Sequence, residues 1–169
     1  DEVAQFMQDF AGSHRYVFDY LLDEVLNQQP TGTRNFLLQT SVLERFCAPL
    51  CDALFENIFE NNLIENEGDE KAGRDTTTFM APRSQAILTE LEQTNLFIVP
   101  LDNERRWYRY HHLFRDLLRQ RLTETDAATM PLLYERASQW HEEQGERETA
   151  FHYARRGDHT ALAARLLDE

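Results

Sequence analysis

Between Glu104 and Leu122 the sequence gathers six arginines (Arg105, Arg106, Arg109, Arg115, Arg119 and Arg121) and two histidines (His111 and His112), opposed only by Glu104 and Asp116. Trp107, Tyr108 and Tyr110 are interleaved with the first of these arginines. Guanidinium groups alternating with aromatic rings are the residue types that contact phosphates and stack on bases, so a nucleic-acid surface is the first chemistry to weigh. Arg105, Arg106, Arg109, Arg115 and Arg119 make up the candidate interaction surface. Arg115 and Arg119, four residues apart, share one helix face suited to an acidic partner; the plain alternative is a solvated face. His111 and His112 stand where an alternating stretch gives way to a helical one, and their plain role there is to satisfy backbone groups of the junction.

The remaining chemistry-bearing residues form no catalytic pattern. A phosphate-binding loop needs a glycine-rich turn followed by Lys and Ser or Thr, and none of the glycines at 12, 32, 68, 73, 145 and 157 is followed by that pair. There is no His-Glu-x-x-His string and no Gly-x-Ser-x-Gly elbow. Acidic neighbours such as Asp23-Glu24 and Glu142-Glu143 read as solvated helix faces. Cys47 and Cys51 lie four apart in an apolar stretch without a third ligand, which predicts buried structural thiols, no metal site and a reducing, cytoplasmic setting. The chain is expected to be no enzyme and to bind no cofactor of its own.

Charge argues against a general nucleic-acid platform. The 169 residues carry a formal charge of -13, and a net acidic protein is repelled by phosphates except where it concentrates its cations. Six acids and no base lie between Glu56 and Glu70. No apolar run approaches the ~20 residues that span a bilayer, and the N-terminus lacks the basic and apolar regions of an export signal, so no membrane partner is expected. The absence of an initiator Met and an end at Glu169 within a helical pattern predict a piece of a longer polypeptide.

The periodicity of apolar residues places these groups on elements. Helices are predicted over Glu2–Phe10, ending at Gly12 with Ser13 capping the next, then His14–Asn27, Thr33–Thr40, Phe46–Phe59 and Ser84–Thr94. Pro30 separates the second from the third. The stretch Asn61–Ala81 reads as an acidic loop. The period then changes to two: Leu96–Leu101, a turn at Asp102-Asn103-Glu104, and Arg106–Tyr110 predict one β-hairpin, the only strand signal in the chain. Helices resume over His111–Leu122, about Ala128–Gln144 ending at Gly145, and about Thr149–Arg156 ending at Gly157, with a last one starting near His159. Trp140 with Leu132, Leu133 and Ala137 is expected in the core of a helix pair. Three helices followed by a hairpin is the order of a winged helix, whose wing aromatics are expected to be half-buried. The candidate recognition helix, Gln85–Thr94, carries Glu90 and Glu92 and no base, which disfavours DNA reading.

The expected fold is therefore mostly α: a helical bundle with a winged-helix unit followed by the start of an α-solenoid repeat. Residues 1–30 form an N-terminal helical segment. Residues 31–123 form the winged-helix domain, with the acidic loop at about 60–81 and the wing at 96–110. Residues 124–169 form a helical hairpin that begins a TPR-like superhelix.

The strings SHRYVFDYLLDEVL (13–26), FLLQTSVLERFCAPLCDAL (36–54), LEQTNLFIVPLDNERRWYRYHHLFRDLLRQRL (91–122) and RASQWHEEQGERETAFHYARRGD (136–158) closely resemble the middle of MalT-type regulators, large ATP-binding bacterial transcription activators of the LuxR group. The stretch Glu56–Met80 departs from that likeness. The resemblance implies a parent of signal-transducing NTPase type. A preceding P-loop domain would bind ATP or ADP, a superhelical sensor would follow, and a C-terminal helix-turn-helix would bind DNA; the active form would self-associate. In related NTPases of the apoptotic and plant-resistance type a Met-His-Asp string after the wing sets its histidine against the β-phosphate of ADP. Tyr110-His111-His112-Leu113 is similar in position, with Tyr for Met and His for Asp, which implies His111 as the contact residue. The leading expectation is a regulatory interdomain module that couples nucleotide state to sensor and DNA-binding domains. The alternatives are a winged-helix DNA-binding domain in its own right and a helical protein-interaction scaffold.

Overall fold

The computed structural model describes residues 20, 23–55, 83–94 and 97–168. The expected helix over Glu2–Phe10, the first part of His14–Asn27, the end of Phe46–Phe59 and the acidic loop lie outside them.

Residues 23–28 are helical (α1). Helix α2 follows at once as Thr31–Thr40, two residues earlier than the apolar pattern predicts. Pro30 explains both boundaries. Its ring ends the helix before it, and it occupies the N-cap of the next, where a missing N–H leaves nothing unsatisfied. Phe36, Leu37 and Thr40 face inward, and the Thr40 hydroxyl donates to the Phe36 carbonyl at 2.7 Å. At the other end of α2, Arg119 reaches back to the Ser41 carbonyl at 3.2 Å and to Val42 at 3.5 Å, satisfying carbonyls that no helical amide can meet.

The next helix (α3) starts at residue 48 rather than at Phe46. Phe46 is taken by the wing: its N–H donates to the Tyr108 carbonyl and its carbonyl accepts from the Tyr108 N–H, both at 2.8 Å. Helix α4 spans Arg83–Gln93 and turns Leu88 and Leu91 into the core. Its first turn is steadied from α3, where Asp52 accepts the Ser84 N–H at 3.2 Å.

The hairpin forms as predicted but is shorter. Strand β1, Ile98–Pro100, pairs antiparallel with β2, Tyr108–Tyr110, in the register Ile98–Tyr110, Val99–Arg109 and Pro100–Tyr108. Pro100 removes a ladder donor. Asp102 then diverts the amides of Arg106 and Trp107 to its own carboxylate, at 2.9 and 3.0 Å.

Helix α5, His112–Asp126, runs a turn past the predicted end at Leu122 and takes in Asp126. That last turn lacks apolar periodicity. Polar pairs support it instead, with Gln120 donating to Glu124 at 2.9 Å and Arg121 beside Glu124 at 3.7 Å. Helices α6 (Thr129–Glu143), α7 (Arg147–Arg156) and α8 (Thr160–Asp168) follow. After α6, Gly145 takes φ of 77°, with its N–H on the Glu142 carbonyl and the Glu146 N–H on the His141 carbonyl, a Schellman ending. The same bonds end α7, where Asp158, at φ of 60°, takes the left-handed position in place of a glycine.

One hydrophobic core runs from Leu26 through Leu37, Leu43, Phe46, Leu54, Leu91, Tyr110 and Leu118 to Leu133, Ala137 and Tyr153. It is continuous across residue 124. A smaller cluster of Ala150, Ala154, Ala163 and Leu166 joins α7 to α8. Two expectations need correction. Tyr108 and Tyr110 of the wing are fully rather than half buried, because β2 lies between β1 and Phe46. Leu132 is 42% exposed, because α6 turns Leu133, Tyr134, Ala137 and His141 inward and Leu132 lies beside that face. Among the described residues no helix is long and apolar enough to cross a membrane.

Candidate functional site at the wing and its junctions

The wing is built to be rigid. Asp102 accepts two backbone amides of its own loop, and the amide of Arg106 is the main reason its carboxyl is held below the ordinary carboxylate range. The turn also needs Arg105 at φ of 54°. Its guanidinium is fixed on Glu92 of α4 at 3.0 Å, and Glu92 accepts the Tyr108 hydroxyl at 3.3 Å. An acid of the candidate recognition helix thus braces the wing.

The predicted surface residues separate into different environments. Arg106 pairs with Glu104 inside the wing loop. Arg109 is exposed on β2, and its Nη1 lies 3.5 Å from the Tyr110 carbonyl. Arg115 is half-buried beside Asp116 at 3.7 Å. Arg119 turns its guanidinium onto the end of α2, so Arg115 and Arg119 do not form a common open stripe. Tyr110 ties the wing to α2 through a 2.7 Å bond between its hydroxyl and that of Thr40. Burial pushes the tyrosine's pKa far up.

His111 sits at the N-cap of α5, with φ of -54° and ψ of 134°. Its backbone serves the junction: the N–H donates to the Phe97 carbonyl at 2.8 Å, and the carbonyl accepts from Arg115 at 3.0 Å. Its ring makes no capping bond. The imidazole is exposed and lies against that of His112, with centroids 4.5 Å apart. The side chain is thus directed outward beside the first turn of a 15-residue helix, where backbone N–H groups are unmatched and the helix dipole is positive.

A second constellation gave no sequence signal. Arg45, in the loop between α2 and α3, lies over the Trp107 ring at 4.8 Å and beside Glu146 at 3.5 Å. Trp107 meets Trp140 of α6 edge-on, with centroids 6.3 Å apart. Glu146 also accepts from the buried His141 at 2.9 Å; burial pushes the imidazole's pKa down, and Glu146 opposes this. Glu44 gives its N–H to the Tyr153 hydroxyl at 3.1 Å and sets its carboxylate 3.4 Å from His152 and 3.3 Å from Arg156. These residues come from four separate stretches of chain with no common spacing, so only the fold brings them together. The thiols of Cys47 and Cys51 are both buried, with pKa values raised by desolvation. Among the described residues no cluster of three or more His, Cys, Asp or Glu side chains forms a metal site.

A family model described as the MalT winged helix domain matches residues 22–130. The HTH-type transcriptional regulator MalT of Klebsiella pneumoniae subsp. pneumoniae is 33% identical over 146 residues, 86% of this chain and 14% of the relative. The protein of the same name from Vibrio campbellii is 28% identical over 158 residues, 93% of this chain and 15% of the relative. The chain therefore spans about a seventh of the length of these relatives.

Proposed function

The chain belongs to the MalT winged helix domain family, and from that premise we propose that it is a regulatory interdomain module of an ATP-dependent bacterial transcriptional activator. In this reading it couples the nucleotide state of a preceding P-loop domain to a following sensor and to a DNA-binding domain elsewhere in the polypeptide. Its setting is cytoplasmic, its partners are those domains, and it has no catalytic step of its own. The division at residues 30 and 123 is part of the proposal, with α6–α8 as the first elements of the sensor superhelix.

The observation that carries this reading is the placement of His111. An exposed imidazole with no capping bond, beside the N-terminus of α5, is suited to donate to an anionic oxygen held by a neighbouring domain. If that oxygen belongs to the β-phosphate of ADP, His111 stabilises the ADP-bound, inactive state alone. One hydrogen bond to a charged group is worth about 1.5–3 kcal/mol. In the longer parent, His111→Ala is then expected to weaken ADP binding roughly ten- to a hundredfold and to activate transcription at lower inducer. His112→Ala should do neither. Unchanged ADP affinity in the His111→Ala parent would remove the sensor role.

The rival DNA-reading function is disfavoured by α4, where Glu92 is committed to Arg105 and Tyr108. A helix that enters the major groove needs that face clear.

A further inference from the structure

We infer that the loop 43–47 is a clasp through which the wing and the α6–α7 pair move as one body. For its biological use the inference rests on the coupling role proposed above; the clasp itself is a property of this chain.

The loop is gripped from two sides by different chemistry. On the wing side, Phe46 exchanges both backbone hydrogen bonds with Tyr108 at 2.8 Å, and Arg45 covers the Trp107 ring. On the helical side, the Glu44 N–H is held by the Tyr153 hydroxyl of α7, and its carboxylate faces His152 and Arg156. Arg45 and His141 share Glu146, which follows α6. The two sides also touch directly where Trp107 meets Trp140. Only two residue steps separate the Glu44 amide from the Phe46 amide. A chain advances at most about 3.6 Å per residue, so these two steps cap how far the grips can separate.

The loop cannot swing out to relieve a pull. Val42, Leu43 and Phe46 have no solvent exposure, and extracting such side chains would leave cavities in a close-packed core. A displacement of the wing by a neighbouring domain therefore draws the Phe46 peptide, and through Glu44 it draws α7. The converse holds for a force applied to α7. Arg136 of α6, which donates to the Leu54 carbonyl of α3, ties the same helical pair to the other side of the loop.

The test uses this chain and amide hydrogen exchange. Tyr153→Phe keeps the ring and its stacking but removes the hydroxyl that accepts from Glu44. It is expected to speed exchange at the Tyr108 and His111 amides about three- to tenfold, the range for one lost hydrogen bond. Trp107→Ala is expected to speed exchange in α6 and α7, at Ala137–His141 and Ala150–Ala154, on the order of tenfold. Arg106→Ala, at the wing tip, should leave α6 and α7 unchanged. Wing rates unaltered by Tyr153→Phe, or a Trp107→Ala effect confined to the hairpin, would show that the two parts open independently and would overturn the clasp. Because the readout is internal to this chain, that failure is distinct from a failure of the coupling role, which the His111→Ala parent tests.

Discussion

Asp102 shows how much of the wing depends on a single side chain. Both carboxylate oxygens accept backbone amides, and the Arg105 N–H lies 3.3 Å from the Asp102 carbonyl. Asp102→Ala is expected to free the Arg106 and Trp107 amides for rapid exchange and to lower the melting temperature. Asp102→Asn retains one oxygen acceptor and should fall between the two. The pH dependence follows from the depressed pKa. The ionised form is favoured by folding, so its contribution is present above the unfolded value of about 3.9 and is lost as pH falls through the lower folded value. The difference in melting temperature between wild type and Asp102→Ala should therefore be constant near neutrality and shrink below about pH 4. A difference unchanged down to pH 2 would mean that the loop geometry does not depend on the charge. His111 makes the opposite point at the same scale. Its backbone is committed to the junction, while its ring makes no capping bond and lies against that of His112.

At the scale of elements, the order of helices and the hairpin among the described residues was legible because apolar periodicity and the Pro30 and Gly145 signals act locally. The element boundaries were less so. Phe46 reads as helical by its neighbours, yet its two backbone bonds to Tyr108, 62 positions away in sequence, make it an isolated bridge on the outer edge of β2. The last turn of α5 rests on polar pairs that an apolar pattern does not register. Gly157 marks the end of α7 as predicted, yet it has an ordinary φ of -83°, and the left-handed residue is Asp158. What requires glycine is space, since a Cβ there would lie 2.5 Å from His159 Cδ2 and 2.8 Å from Tyr134 Cβ. Gly157→Ala is thus expected to destabilise by about 1–3 kcal/mol, the cost of forcing packed neighbours apart. Thermal or urea unfolding would measure it, and a neutral result would mean that the His159 ring yields freely. The candidate site divides in the same way. The histidines and arginines were visible as a cluster of types in one stretch, but Glu44, Arg45, Glu146 and Tyr153 meet only through the tertiary fold.

For the whole molecule, charge and topology set expectations that binding experiments can check. The sequence has no phosphate-binding loop motif, so calorimetric titration with ATP should give no micromolar binding; such binding would contradict the regulatory-module reading for this segment. With a formal charge of -13 and an α4 that turns Glu92 toward the wing, duplex-DNA affinity at physiological salt should be negligible. A salt-dependent, submicromolar gel-shift complex would instead favour DNA binding in its own right. The continuous core also bears on the two thiols. Cys51 has no exposure and Cys47 only 6%, and both lie among the side chains that join α3 to the rest. Alkylating reagents attack the thiolate, which desolvation disfavours here. Their reaction with the native protein must therefore wait for the core to open. The two cysteines are in effect a built-in clock, and the rate at which they are labelled counts openings of this part of the core without any added probe.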